Sequence, residues 1–389
     1  MRNVLLVYLL LVVSSQRRTV RALVSSSSNN NNNNGASVPV LTHGPNYCRA
    51  QLPSPLTGTT IPPPPLVVIV GMAQSINSYQ QHLPFLLQAQ RQLAKKNTQQ
   101  DDSINATVSV LLYQPYGLGK DVIVNNINDD LSLPAQARRL VHTLQDTVWN
   151  TTTTTTTSST RKTVSLAGFS LGGRIAMCTA CLYPQLVHKV HVTGVALRPS
   201  LYAQVQYHAW KQQLQQALPP TTNDNKDDND INNKDTTDNK HHQKTTLSSF
   251  AWSALLATYS PSFLWQHQSK LSSWVTHVQD TQTVMGLYQL LQQTHQSEWS
   301  VERLVQTYFQ TQPLTPMPWT LHFCVGRHDR MAPVETVYEM ARIITNTTTE
   351  QDDGHRSMVT VLNDCDHAVP MEAPRAWRQD IINFLKQDE

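Results

Sequence analysis

Charge is scarce in this sequence: Asp, Glu, Lys and Arg make up 15% of its 389 residues. Its polar character comes from Gln, Asn, Thr and Ser instead. With 30 basic and 27 acidic side chains the net charge is +3, which gives no strong electrostatic claim on nucleic acid. Cysteine is sparse as well. Cys48, Cys178, Cys181, Cys324 and Cys365 form an odd, scattered set, which is not a disulfide framework. Cys178 and Cys181 have the spacing of a redox or metal pair. On a helix, thiols three residues apart more often pack as small apolar groups, so a core role is expected for them. No zinc-type Cys/His spacing and no phosphate-cradling Gly-rich loop of the P-loop type occurs, so neither a metal nor a cofactor is expected. The apolar block Val4 to Val13 is shorter than the run of about 20 residues that a bilayer span requires.

That block suits the h-region of a signal peptide, with Arg2 before it and Ser14 and Ser15 after it. Arg17, Arg18, Arg21, a Ser run and the Asn tract 29–34 follow, and no acidic residue precedes Asp101. An Arg- and Ser-rich, acid-free stretch behind a signal peptide resembles the bipartite presequence of proteins sent to a secondary plastid. A plain secretory signal followed by a linker is the alternative. Asn105, Asn150 and Asn346 begin acceptor sequons, relevant only in the secretory lumen. Residues 1–60 are therefore expected to be a targeting segment and disordered linker.

From residue 61 the pattern changes. Pro62 to Pro65 lead into Leu66-Val67-Val68-Ile69-Val70, a short all-apolar run of the kind buried on both faces of a parallel sheet. Runs at 108–113, 163–167, 190–197, 319–325 and 358–362 read as further strands. Helical stretches over 80–95, 131–149, 334–344 and 374–385 alternate with them. This rhythm predicts an α/β fold with a mostly parallel central sheet and helices on both faces. Residues 200–312 carry no strand pattern and many aromatic rings. They are expected to form a mostly helical cap, with the polar tract 221–244 disordered within it. The Thr-rich tract 151–159 is expected to be a surface loop. The core then comprises 61–199 and 313–389.

The most informative segment is Gly168-Phe169-Ser170-Leu171-Gly172-Gly173. A strand precedes it and a helix follows it, the setting of a nucleophile elbow. The turn is tight enough to demand small residues two before and two after the serine. An ordinary strand-to-helix turn with a serine cap is the plainer reading. Two later segments favour the first. Gly326-Arg327-His328-Asp329-Arg330-Met331-Ala332-Pro333 follows a strand, so Asp329 emerges at its carboxyl end, where ligands meet open α/β sheets. Asp366-His367-Ala368-Val369-Pro370 follows the last strand and precedes the last helix.

The order Ser170, Asp329, His367 and the words around each residue resemble the α/β-hydrolase superfamily, in particular its capped serine hydrolases. The resemblance covers roughly residues 61–199 and 312–387. It implies Ser170 as nucleophile, His367 as general base and Asp329 as the acid that orients the histidine. Asp364 and Asp366 are close in sequence but less suitably placed. The oxyanion hole is expected at the backbone N–H groups of Leu171 and Met72. The family usually has His-Gly after its first core strand, and this chain has Val70-Gly71. The implied activity is hydrolysis of an ester or thioester through an acyl-enzyme. Lyase, C–C bond hydrolase or perhydrolase chemistry on the same fold is the alternative, as is a non-catalytic binding role. The expected partner is a small acyl substrate, partly apolar; no nucleic acid and no stable membrane span are expected.

Overall fold

A computed structural model of the chain describes residues 39–52, 63–96, 108–119, 129–149, 162–218, 235–295, 300–311, 318–345 and 358–387. Its centre is an eight-stranded sheet in the order β1-β2-β4-β3-β5-β6-β7-β8. The strands are β1 Val40–Gly44, β2 Tyr47–Leu52, β3 Leu66–Ile69, β4 Val108–Tyr113, β5 Val164–Phe169, β6 Val187–Thr193, β7 Thr320–Gly326 and β8 Val359–Leu362. Strands β3 to β8 pair in parallel, and β1 and β2 add an antiparallel edge.

Every residue of β3, β4 and β5 is buried, because both faces of the sheet carry helices. On one face Val67, Ile69, Leu111 and Leu166 pack with α2 (Leu133–Leu144), α3 (Leu171–Leu182) and α10 (Val334–Thr345). On the other, Leu66, Val68, Val110 and Leu112 pack with α1 (Leu83–Lys96) and α11 (Pro374–Lys386). Alternating residues of one strand thus enter two separate cores.

Among the described residues between β6 and β7 every element is a helix: α4 Leu201–Gln215, α5 Asp235–Thr258, α6 Pro261–Gln266, α7 Gln268–Thr281, α8 Val284–Thr294 and α9 Val301–Thr311. Trp210, Leu214, Phe250, Leu287 and Leu291 join this cap to the first core. Several of its rings serve helix packing. Trp210 meets Phe250 edge-on at 5.7 Å and donates Nε1–H to Ser253 Oγ at 2.9 Å, while Tyr259, Phe263 and Trp274 stack at 5.4 and 6.0 Å.

Three boundaries differ from the sequence reading. The sheet begins at Val40 rather than at residue 61. Strand β1 alternates between exposed and half-buried positions and β2 carries Arg49, so neither shows the apolar run that marks a buried strand. Strand β6 starts at Val187 rather than 190, where exposed His188 and buried Lys189 interrupt its apolar pattern. Residues 235–244, assigned to the disordered tract, form the first turns of α5, a case of context overriding a polar composition. The targeting segment, the tract 151–159, the part of the polar insert at 221–234 and the three sequon asparagines lie outside the described residues. Among the described residues no helix is long and apolar enough to cross a membrane.

Candidate active site

Strand β5 ends at Phe169 and α3 begins at Leu171, leaving Ser170 alone in the turn. Its backbone is held at φ 52° and ψ −116°, a conformation an L-residue adopts only when its surroundings enforce it. They do so by close approach. A Cβ on Gly168 would lie 2.5 Å from the Gly172 carbonyl carbon and 2.6 Å from the Gly173 Cα. A Cβ on Gly172 would lie 2.7 Å from the Val70 carbonyl oxygen. Glycine at these positions lets α3 rise against β3 and β5 with Ser170 at its tip. The turn is locked by Ser170 N–H donating to Thr193 O at 2.8 Å and Arg174 N–H to Ser170 O at 3.1 Å.

The loops after β7 and β8 meet that tip. His367 Nε2 lies 3.0 Å from Ser170 Oγ, and His367 Nδ1 lies 2.9 Å from Asp329 Oδ2. The carboxylate fixes the proton on Nδ1, so the seryl hydroxyl donates to a lone pair on Nε2. The other oxygen of Asp329 accepts the N–H groups of Met331 and Ala332 at 2.9 and 2.8 Å. Asp329 and His367 are almost completely buried, and the imidazole packs on the Phe169 ring at 5.2 Å. Burial works against the imidazolium, but the carboxylates of Asp329, Asp366 and Glu372 outweigh it and raise the His367 pKa above 6.5.

Asp366, the sequence neighbour of His367, faces elsewhere. Its carboxylate accepts from His367 N–H at 2.8 Å and from Arg330 N–H and Nε–H at 3.3 Å each. It shapes the loop and does not contact the ring nitrogens. Asp364 and His328 are exposed.

The backbone N–H groups of Leu171 and Met72 have no hydrogen-bond partner among the described residues. Gly71 is the retained glycine of this loop, and what holds it was not read from the sequence. Gln74 Oε1 accepts Gly71 N–H at 3.0 Å and Tyr79 O–H at 2.7 Å, and Ala73 sits at φ 58°. The Gln74 amide therefore takes the donor next to Met72 out of play and curls the loop. A polar residue three positions beyond the glycine was the only available signal.

The cap is tied to both loops. Ala368 N–H donates to Thr258 O at 2.9 Å, and Arg330 Nη2–H to Leu256 O at 3.1 Å. Glu372 accepts Ser260 N–H at 3.2 Å, the Ser260 hydroxyl, and Asp366 N–H at 3.1 Å. On the oxyanion side, Ser75 Oγ meets His277 Nε2 of α7 at 2.9 Å.

Arg174 is a further residue that the sequence did not single out. It leaves α3 one turn beyond Ser170 and donates to Thr294 O. No carboxylate pairs with it among the described residues, and burial lowers its pKa. Tyr207, itself within electrostatic reach of Arg174 and Asp329, packs against His295 beside it with ring centres 3.9 Å apart and planes tilted by 50°.

Comparison with known proteins supports the fold. The model of the esterase family described as "Putative esterase" matches residues 88–274, just under half of the chain. This range includes the elbow but neither Asp329 nor His367. No curated protein matches the chain significantly. Among solved structures, an α/β-hydrolase enzyme, MGS-M2, from a Medee basin deep-sea metagenome library superposes with TM-score 0.52 at 14% identity, covering 90% of this chain and 98% of that one. A thermophilic esterase from Thermogutta terrifontis gives TM-score 0.50 at 16% identity over 89% and 97%. A hydrolase from Pseudomonas aeruginosa gives 0.50 at 15% over 91% and 100%. At such identities the likeness is one of fold.

Proposed function

We propose that this chain, which shares the fold of the α/β hydrolases it superposes on, is a serine hydrolase that cleaves an ester or thioester through an acyl-enzyme. The observation that carries this reading is the hydrogen-bonded series from Ser170 Oγ through both nitrogens of His367 to Asp329, at 3.0 and 2.9 Å. Ser170 Oγ attacks the acyl carbonyl carbon while Nε2 of His367 takes its proton. Asp329 holds the ring and stabilises the imidazolium. The carbonyl oxygen, now an anion, is received by the free N–H groups of Leu171 and Met72. His367 returns the proton to the departing alcohol or thiol. It then deprotonates a water molecule that attacks the acyl-enzyme and releases the acid.

Activity-based labelling tests this. A fluorophosphonate should modify Ser170, and Ser170→Ala should lose both labelling and hydrolysis of a p-nitrophenyl ester. Hydrolysis at the wild-type rate by Ser170→Ala refutes the assignment.

The substrate is a small acyl compound, partly apolar, in keeping with the aromatic cap. Arg174 adds a refinement, since a partly buried guanidinium with no carboxylate partner among the described residues is costly unless an anion reaches it. A substrate carrying a carboxylate meets that need. Arg174→Met should then raise KM for anionic acyl substrates and leave neutral ones unchanged, and an equal effect on both sinks this refinement.

A further inference from the structure

Away from Ser170, the face of the sheet under α11 holds an unusual set of side chains. Lys189, His191 and Thr193 follow one another along β6, and His322 and Cys324 lie beside the last two on β7 in register. This face should be apolar, as it is under α1. Instead His191, His322, Cys324 and Asp380 of α11 are all at most 8% exposed. His191 Nε2 meets Asp380 Oδ2 at 2.8 Å, and His322 Nε2 meets Asp380 Oδ1 at 3.2 Å and Thr360 Oγ1 at 3.0 Å. The ligand-capable atoms of His191, Cys324 and Asp380 lie within 4.8 Å of one another. Phe384 packs on both imidazoles, at 6.0 and 5.2 Å.

We propose that His191, Cys324 and Asp380, with His322 behind the carboxylate, form a three-ligand site for a divalent cation of the zinc class, its fourth tetrahedral position open. Three features of the cluster point there. The donor set mixes imidazole, thiolate and carboxylate, which suits a borderline-soft tetrahedral ion. The charges close: one carboxylate and one thiolate balance a dication, with both imidazoles neutral, so the buried site carries no net charge. The spacing is also close to what is needed, since ligands about 2.0–2.3 Å from a tetrahedral ion sit about 3.3–3.7 Å apart. One pair stands at 2.8 Å and all lie within 4.8 Å, so shifts of about 1 Å bring the three into that range. The ion would bind as α11 docks, which couples it to folding. It would join β6 and β7 to the helix that follows the His367 loop.

The test uses the full chain. Wild-type protein stripped with a chelator and titrated with Zn2+ against a chromophoric chelator should bind one ion per chain and gain thermal stability. Its Co2+ form should show thiolate-to-cobalt absorption in the near ultraviolet. Cys324→Ala should remove that absorption and the stoichiometric binding. His322→Gln should weaken binding by about 10–100-fold through the loss of an outer partner. A double His241→Gln, His242→Gln variant on the surface of α5 should bind as wild type. Should Asp380→Asn fail to fold, Cys324→Ala and the Co2+ spectrum still decide. The proposal is overturned if folded wild type takes up no stoichiometric Zn2+, if the Co2+ form lacks the thiolate band, or if Cys324→Ala binds unchanged. None of these outcomes depends on Ser170 acting as a nucleophile.

Discussion

Replacing Gly172 by alanine would place a methyl group 2.7 Å from both the Ile69 carbonyl carbon and the Val70 carbonyl oxygen, and closer still to the Ile69 oxygen. All three are backbone atoms of β3 and its exit, so no side chain can rotate away. Helix α3 must move off the sheet by roughly 1 Å to restore ordinary contact, given that carbon atoms pack at about 3.5–4.0 Å. Overpacking of this kind costs about 1–3 kcal/mol, occasionally more. At about 2–4 °C per kcal/mol for a domain of this order of size, the melting temperature should fall by roughly 2–12 °C. The effect on activity should be larger, because α3 carries Ser170 and the Leu171 N–H. A 1 Å displacement of a reacting group can cost about 100-fold in rate.

Gly173→Ala is the internal control. Its Cβ would meet Val195 Cγ2 at 2.7 Å, Val192 Cγ1 at 3.0 Å and the Gly168 carbonyl oxygen at 3.1 Å, so it approaches one backbone atom, and less closely than at 172. The assay pairs thermal denaturation with kcat/KM on a p-nitrophenyl ester for both variants. If Gly172→Ala matches wild type in both measurements, or if Gly173→Ala is the more damaged, close approach of α3 to β3 is not what selects glycine at 172.

Three further outcomes follow from the same geometry. Asp329→Asn should lower kcat by about 10^4-fold, as loss of the orienting acid does in a serine triad, whereas Asp366→Asn should stay within about tenfold, or about 1.4 kcal/mol of barrier; equal losses would place the acid wrongly. His367 must be neutral to accept the seryl proton, and its pKa is raised above 6.5, so kcat/KM should fall as pH drops through a midpoint above 6.5, and a midpoint below it refutes the assigned base. Burial pushes the Cys48 thiol up to about 11 and those of Cys181 and Cys365 up to about 12; native protein at pH 8 should therefore react with a thiol reagent at these positions only after denaturant is added.

Much of this architecture was legible because strong local constraints wrote it into the chain. Strands β3, β4 and β5 are buried on both faces, so their sequences are continuous apolar runs. The elbow is spelled in glycines because a methyl group does not fit at 168 or 172. Asp329 and His367 stand just after strands β7 and β8, and the parallel sheet delivers both loops to the end where Ser170 stands. Strands β1 and β2 were not legible, since an edge hairpin needs only alternating, half-polar residues. The His191–Cys324–Asp380 cluster was not legible either. Its members come from β6, β7 and α11, and no spacing along the chain announces a cluster assembled by sheet pairing.

The glutamines show most clearly where pattern reading stops. A low charge fraction with abundant amides reads as loop composition, yet several of these amides hold the loops around the site. Gln74 takes Gly71 N–H; Gln114 takes Ile76 N–H at 3.1 Å and donates to Leu118 O at 2.7 Å. Gln136 bonds both the N–H and the C=O of Tyr116, at 3.0 and 2.8 Å, and Gln282 of the cap accepts Gly119 N–H at 3.2 Å. Gln114, Gln136 and Gln282 are buried, where an amide that matches a donor and an acceptor at once costs far less than a charge would. A neutral side chain with both functions can fasten a loop without altering the field at His367, whose pKa depends on three nearby carboxylates. Such residues carry no motif, because their role is set by which backbone groups the fold leaves unpaired, and that is known only once the strands have been placed.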